Sequence, residues 1–176
     1  MKSKILHHKN LHDGREMEIF YPISDKELED QFHEIFEIEH YRDGKRKGVF
    51  VDLGANIGLT ALYFQDYATK YYAVEPSLAC FEALKANTKG IKNIQLCNLA
   101  IAAKRTEEWL WQVAKESVPQ TLFAGQSSAF GRERVQCLPL DEFFAENGID
   151  RVDVLKIDVE SSEFVIFPSS GFAKVA

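Results

Sequence analysis

The stretch VFVDLGANIGLT, Val49 to Thr60, decides how this chain folds and where it binds a ligand. Its apolar first residues predict a buried strand. The D-x-G-x-N-x-G pattern that begins at Asp52 predicts a tight turn, since glycine lets a ligand approach the backbone closely. Leu59 and the residues after it predict a helix. A strand that ends in such a turn and leads into a helix, whose first N–H groups are free, is typical of nucleotide-binding proteins.

The spacing of the glycines discriminates between nucleotides. The dinucleotide fingerprint G-x-G-x-x-G needs a bare second glycine where the pyrophosphate lies on the backbone. Here Asn56 occupies that position, and the third glycine, Gly58, comes one residue early. The pattern therefore favours a ligand that carries an adenosyl group without a pyrophosphate. It disfavours a nicotinamide dehydrogenase, which is the weakest of the three functions that the sequence suggests.

Glu75 ends the next apolar strand, YYAVEP. A carboxylate at this place can accept two hydrogen bonds from a ribose 2′,3′-diol. The competing interpretation of Glu75 is a charge that begins the helix after Pro76. The adenine would lie against the end of the third predicted strand, NIQLCNLAI, near Asn98, Leu99 and Ala100.

Composition and charge limit the class of protein. The 176 residues are enough for one ordinary core, and 45% of them are hydrophobic, as in a soluble globular domain. The net charge of −6 argues against a nucleic-acid-binding face. Three widely spaced cysteines indicate neither a disulfide framework nor a zinc site. The start of the chain lacks a signal-peptide pattern and no stretch is long enough to span a membrane, so a cytoplasmic location without a membrane partner is expected.

Two regions are predicted along the chain. Residues 1–47 form a hairpin followed by a helix, which Ser24 and Glu27 begin with the S-x-x-E capping-box spacing. Three histidines of the hairpin are predicted to be exposed residues and not metal ligands; they are His7, His8 and His12. Residues 48–176 alternate apolar strands with helices, which predicts an α/β fold with a parallel sheet covered on both faces.

The second region has three further features. Residues 102–137 fit the alternation poorly and are predicted to form a hairpin excursion or a mobile loop, in which Trp109 and Trp111 share a strand face. Packing of the two tryptophans against the sheet is favoured over sugar stacking. Asp141 is predicted to cap the short helix LDEFFAENG. The chain ends soon after the fourth strand, VDVLKID, so the usual later strands are expected to be missing.

Four motifs together carry a resemblance to a known family. FVDLGANIGLT, AVEPS, LDEFF and VLKIDVESSE, in this order, resemble the FkbM-type family of S-adenosylmethionine-dependent methyltransferases over roughly residues 30 to 170. The most specific element is KIDVE, Lys156 to Glu160, together with Glu163. The family usually has a glycine where this chain has Ser161. The resemblance implies the Rossmann-like class I sheet with strand order 3-2-1-4-5-7-6 and helices on both faces, here truncated after the fourth core strand.

The resemblance also implies roles for individual residues. Gly54, Asn56 and Gly58 would surround the methionine and ribose parts of the cofactor. Asp52 would lie near its amino end, and Glu75 would hold the ribose. The remaining cofactor residues would be Asn98, Ala100 and Asp158. Asp158 would face both the sulfonium and the acceptor.

Methyl transfer itself needs mainly the alignment of acceptor, carbon and sulfur. A hydroxyl acceptor also gains from a base, for which Asp158 is the first candidate, ahead of Glu160 and Glu163. Helix capping or pairing with Lys156 is the structural interpretation of these acids. The sequence D-V-E-S excludes the N-P-P-Y type of amine and amide methyltransferase. That the acceptor is a hydroxyl of a small metabolite or glycan is mainly what the family resemblance implies. The alternative function is a catalytically silent cofactor-binding or scaffold module, and a homodimer could cover the open edge of the sheet.

Overall fold

The computed structural model describes residues 4–9, 16–41, 46–112, 120–121, 131–159, 163–166 and 170–175. The strands are β1 Lys4–Lys9, β2 Glu16–Tyr21, β3 Gly48–Leu53, β4 Ala68–Val74, β5 Ile94–Cys97, β6 Ala100–Ile101, β7 Thr106–Gln112, β8 Gln120–Thr121, β9 Gly131–Leu138 and β10 Val154–Ile157. The helices are α1 Asp25–Phe32, α2 Leu59–Phe64, α3 Leu78–Asn87, α4 Leu140–Glu146 and α5 Glu163–Ile166. A π-helical turn His33–Glu37 continues α1, and a 3₁₀ turn Ser170–Lys174 follows α5. No helix of the described segments is long and apolar enough to cross a membrane.

A parallel sheet forms the centre of the fold, with strand order β10-β3-β4-β5. In core-strand numbering this is 4-1-2-3, which is the order predicted for the first four strands. The α/β class is therefore confirmed. Successive residues of β3 point to opposite faces, so that Phe50 packs with α2 and α3 while Val51 packs with α4. Helices on both faces explain why these strands are apolar throughout.

Two local predictions about the core are wrong. The third predicted strand is split: β5 pairs with β4, whereas β6 joins a second sheet. Asn98 lies at the break and donates hydrogen bonds to the carbonyls of Glu75 and Pro76, which turns the chain out of the central sheet. Helix α4 begins one residue before Asp141, after Pro139 at the N-cap with φ −63°. The fixed φ of proline suits a helix start, and Asp141 lies within the first turn.

The second sheet has the order β6-β9-β7-β8 and contains the predicted hairpin excursion. Strands β7 and β9 pair antiparallel over seven residue pairs. Trp109 and Trp111 share a face, as predicted, and both contact an arginine of the neighbouring strand β9 in the same sheet. The Arg132 guanidinium carbon lies 4.1 Å from the centroid of Trp109 and 5.3 Å from that of Trp111. Leu110 points to the opposite face and is buried.

The N-terminal hairpin and helix are present and pack on the core. Strands β1 and β2 pair antiparallel, and the Ser24 side chain accepts a hydrogen bond from the Glu27 amide. Buried residues of β2 and α1, among them Ile19 and Leu28, share one hydrophobic cluster with Ile57 of the glycine turn. His7 is exposed at the surface, whereas His12 lies outside the described residues. The boundary between residues 1–47 and 48–176 stays a prediction.

Asn87 joins the N-terminal hairpin to the glycine turn. Its side-chain oxygen accepts from the Phe20 amide at 2.7 Å, and its amide nitrogen donates to the carbonyls of Phe20 and Ile57 at 2.9 and 2.7 Å. We expect Asn87→Ala to lower the free energy of unfolding by about 2 to 3 kcal/mol, because three partly buried groups lose their partner. Urea unfolding measures the change. Lys85→Ala, on the exposed face of the same helix, is the control, and an equal effect of both substitutions would contradict the prediction.

Candidate functional site

The turn between β3 and α2 brings the backbone of three strands together. Gly54, Asn56 and Gly58 all have positive φ, at 80°, 49° and 89°. The amides of Gly54 and Ala55 donate to the carbonyl of Val74 at the end of β4, at 2.9 and 3.0 Å. A Cβ on Gly54 would lie 1.8 Å from the carbonyl oxygen of Asp158, after β10. The backbone of the turn therefore packs closely between the ends of β4 and β10.

A cavity of about 150 Å³ opens beside this turn. The sequence-predicted site residues that line it are Gly54, Asn56, Glu75, Ala100 and Asp158. Apolar side chains after β5 and from β7 line another part of the wall; they are Leu99, Ile101 and Leu110. A further part of the wall comes from the N-terminal helical region, whose individual lining residues were not predicted from the sequence. They are Glu27, Gln31, Glu34, Ile35 and Tyr41. No local pattern predicts this wall, because the contact depends on how the helix packs on the core.

Glu75 has the most constrained side chain of the site. It is buried, with 7% of its surface exposed. One carboxylate oxygen accepts from the Asn56 amide and the other from the Ser77 amide, each at 2.8 Å. Burial raises the pKa of Glu75 to about 7, although the two amides and the charge of Lys156 act in the opposite direction. The carboxylate thus orients the glycine turn and the start of α3 while it faces the cavity.

The raised pKa of Glu75 predicts a pH dependence of stability. Folded Glu75 binds a proton more readily than unfolded Glu75, so its contribution is fully present below about pH 4.5 and is lost as the pH rises through about 7. As the pH rises from 5 to 8, we expect the change in ionisation of Glu75 to lower the free energy of unfolding by about 2 kcal/mol.

Glu75→Gln removes this contribution. Urea unfolding of the wild-type protein and of Glu75→Gln at pH 5 and pH 8 isolates the contribution of Glu75, since the two proteins share all other titrating groups. The same pH slope in the two proteins would contradict the prediction.

Asp52 lies behind the turn in a buried ion pair. It is 1% exposed, and it accepts a hydrogen bond from the Tyr71 hydroxyl at 2.8 Å. Its other oxygen lies 3.1 Å from the Lys156 ammonium, since Lys156 and Asp52 are register partners on the neighbouring strands β10 and β3. Burial, followed by the charge of Asp52, raises the pKa of Tyr71 well above its ordinary value. One oxygen of Asp52 is therefore hydrogen-bonded to Tyr71, and the other makes an ion pair with Lys156 but no hydrogen bond with a described residue. Asp52 does not line the cavity.

Lys156 also belongs to the site, although the sequence alone did not assign it a role there. The signal was present, because a lysine inside the apolar strand VDVLKID needs a partner. Its ammonium also donates to the Gly54 carbonyl at 3.0 Å and lies 3.6 Å from the Asp158 carboxylate. Burial disfavours the ammonium, but the carboxylates of Asp52 and Asp158 outweigh this and raise the pKa of Lys156. The lysine links the glycine turn to the end of β10.

The predicted acids after β10 have different surroundings. Asp158 keeps 63% of its side chain exposed and lines the cavity. Glu163 opens α5 and accepts a hydrogen bond from the Val159 amide at 3.1 Å, so one of its oxygens is bound to the backbone after β10. Glu160 lies outside the described residues. Of the described acids in this segment, Asp158 is the one placed to meet a ligand.

Three other predicted cofactor residues have distinct surroundings. Asn56 has a buried side-chain oxygen without a hydrogen-bond partner among the described residues, which leaves an acceptor for a ligand donor. Gly58 allows close packing, because a Cβ there would lie 2.6 Å from the Leu84 side chain. Asn98 holds the backbone of Glu75 and Pro76 and does not line the cavity.

Comparison with known proteins finds a matching family, a similar curated protein and two similar solved structures. A family model described as the methyltransferase FkbM domain matches residues 52–175. Methyltransferase sdnD of Sordaria araneosa is 26% identical in an alignment that covers 84% of this chain and 70% of that protein. Two solved structures also match: the methyltransferase FkbM from Methylobacillus flagellatus KT and a DhpI–SAH complex.

The match to the first structure has a TM-score of 0.48 and 15% identity over 73% of this chain, and the match to the second has 0.32 and 17% over 40%. The chain spans 31% and 37% of their lengths, about a third.

Proposed function

Because this chain belongs to the FkbM methyltransferase family, we propose that it binds S-adenosylmethionine in the cavity beside the glycine turn and transfers the methyl group to a hydroxyl. One observation carries the proposal. The buried carboxylate of Glu75 faces the same cavity as the turn, and the turn lacks the glycine that a pyrophosphate would need. An adenosyl ligand without a pyrophosphate fits this combination.

The residues around the cavity suit the parts of such a cofactor. Glu75 would accept hydrogen bonds from the hydroxyls of the ribose. The apolar side chains of Leu99, Ile101 and Leu110 would contact the adenine. The unpartnered oxygen of Asn56 offers an acceptor to a ligand N–H or O–H group. Gly54 would lie against the cofactor with the turn backbone, whereas Gly58 packs on Leu84 and does not line the cavity. Asp52, held by Tyr71 and Lys156, supports the turn from behind.

Asp158 is the proposed base. S-adenosylmethionine supplies a methyl group on a good leaving group, so the protein has to align the acceptor and take up its proton. The exposed carboxylate of Asp158 at the cavity can accept that proton as the hydroxyl attacks. Glu163 is less suited, since one of its oxygens is bound to the Val159 amide. Glu160 remains a further candidate from the sequence.

The proposal includes the acceptor, the location and the assembly. We propose a hydroxyl of a small metabolite or glycan as the acceptor, reached from the side of the N-terminal helical wall. A cytoplasmic location agrees with three cysteines that are free of disulfides. Strand β10 is an edge of the central sheet and pairs with β3 among the described strands, while Val152, just before β10, makes a parallel bridge with Val175. Such an edge favours pairing, and we propose a homodimer that covers it.

Calorimetry followed by a transfer assay tests the proposal. S-adenosylmethionine should bind the wild-type protein with micromolar affinity, whereas NAD should not bind. Mass spectrometry of a panel of metabolites and glycans should then show a mass increase of one methylene in at least one acceptor. Cofactor binding without transfer to any acceptor would favour the silent module. Binding of NAD alone would remove the methyltransferase function.

A further inference from the structure

We propose that Lys156 is a positioning residue that weakens the attraction of the site for the positive charge of the cofactor. The inference rests on the proposed function and concerns the same site. The Lys156 ammonium is held between Asp52 and Asp158, at 3.1 and 3.6 Å, and donates to the Gly54 carbonyl at 3.0 Å. Its side chain is only 12% exposed, so these partners fix the position of its charge.

The charges that face the cavity are strongly unbalanced. Among the described residues that line it, Lys156 is the only lysine or arginine. The acids that line it are Glu27, Glu34, Glu75 and Asp158. Asp52 adds a fifth carboxylate directly behind the turn. One ammonium therefore offsets a field that would otherwise be entirely negative.

Methyl transfer explains why this offset is useful. In methyl transfer to a hydroxyl the bond between sulfur and carbon would break, the bond between carbon and the acceptor oxygen would form, Asp158 would take up the hydroxyl proton, and the sulfur would be left uncharged. Carboxylates without a counter-charge would therefore stabilise the bound reactant more than the transition state, in which the sulfonium charge is already decreasing. Binding energy that is lost on the way to the transition state slows the reaction. Lys156 reduces that loss, and it also holds Asp158 beside the glycine turn.

The test compares two ligands that differ in the sulfonium charge and the methyl group it carries. S-adenosylmethionine and S-adenosylhomocysteine share the adenosine, the amine and the carboxylate, so the ratio of their dissociation constants isolates the effect of this difference. Lys156→Met should shift the ratio toward S-adenosylmethionine by about three- to tenfold, as expected for one unit charge acting across a partly hydrated cavity. Lys156→Arg keeps the charge and should leave the ratio within about twofold of wild type.

Two further variants protect the test against misfolding and non-specific effects. Lys156→Met leaves Asp52 buried without its ammonium, which can destabilise the fold. The double variant Asp52→Asn with Lys156→Met leaves no unpaired buried charge, and because it removes one negative and one positive charge together it should keep the ratio within about twofold of wild type. Lys85→Met, whose lysine is exposed and pairs with Glu82 outside the cavity, should leave the ratio unchanged.

The outcomes separate this inference from the proposed function. If the wild-type protein binds both ligands and the ratio in Lys156→Met stays within about twofold of wild type, or if the double variant shows a shift of about three- to tenfold, Lys156 does not act through its charge and the inference is wrong. An equal loss of affinity for both ligands in Lys156→Met leads to the same conclusion. If the wild-type protein binds neither ligand, the proposed function fails and the inference fails with it.

Discussion

Gly54→Ala is expected to lower the free energy of unfolding by about 3 to 5 kcal/mol. Two costs add at this position. The φ of 80° is unfavourable for a residue with a Cβ, and that Cβ would lie 1.8 Å from the Asp158 carbonyl oxygen. The clashing atom belongs to the backbone, and the Asp158 amide is itself bonded to the Leu53 carbonyl. Relief of the clash would therefore require the ends of β3 and β10 to separate, and cofactor binding should be lost as well.

Gly90→Ala is the matched control for this substitution. Gly90 has a φ of 101°, and a Cβ there would meet no atom within 4 Å. Its cost should be limited to the conformational penalty of about 1 to 2 kcal/mol. Urea unfolding of both variants and of the wild-type protein measures the difference, which reports the close approach at Gly54. Equal destabilisation by the two substitutions would show that the turn and β10 are not wedged together.

Glu75→Gln is expected to weaken S-adenosylmethionine binding by about 100-fold. Each hydrogen bond to a charged group contributes about 1.5 to 3 kcal/mol, and the ribose diol would donate two of them. The amide keeps the size of the side chain but removes the charge, and it replaces one acceptor by a donor. Calorimetry at pH 8 is the appropriate measurement, because the wild-type carboxylate, with a pKa of about 7, is then mostly ionised.

Glu82→Gln is the control for the Glu75 variant. Glu82 lies on the exposed side of α3 and pairs with Lys85, so its substitution should leave the affinity unchanged. Thermal unfolding shows whether Glu75→Gln remains folded under the conditions of the titration. If the folded variant binds within threefold of the wild-type affinity, Glu75 does not hold the ribose, and its carboxylate serves only to cap the two backbone amides.

Structural features that depend on residues close together in the chain could be predicted from the sequence. The strand, turn and helix around VDLGANIG follow from an apolar run and from glycines with positive φ. The capping of α1 by Ser24 follows from a spacing of three residues. The split of the third strand was missed for a different reason. Asn98 forms its hydrogen bonds with Glu75 and Pro76, and a run of apolar residues does not reveal a polar contact made across the fold.

The amino-acid sequence alone therefore determined the parallel α/β core and the glycine turn, because backbone preferences and hydrophobic periodicity act over a few residues. The family followed from the resemblance of its motifs. Only the tertiary structure decided that Lys156 lies beside Asp52 and that an N-terminal helix forms one wall of the cavity. Lys156 and Gly54 are 102 positions apart. Their contact depends on the register of β10 against β3, which is set by the packing of the connecting segments and not by any neighbour in the chain.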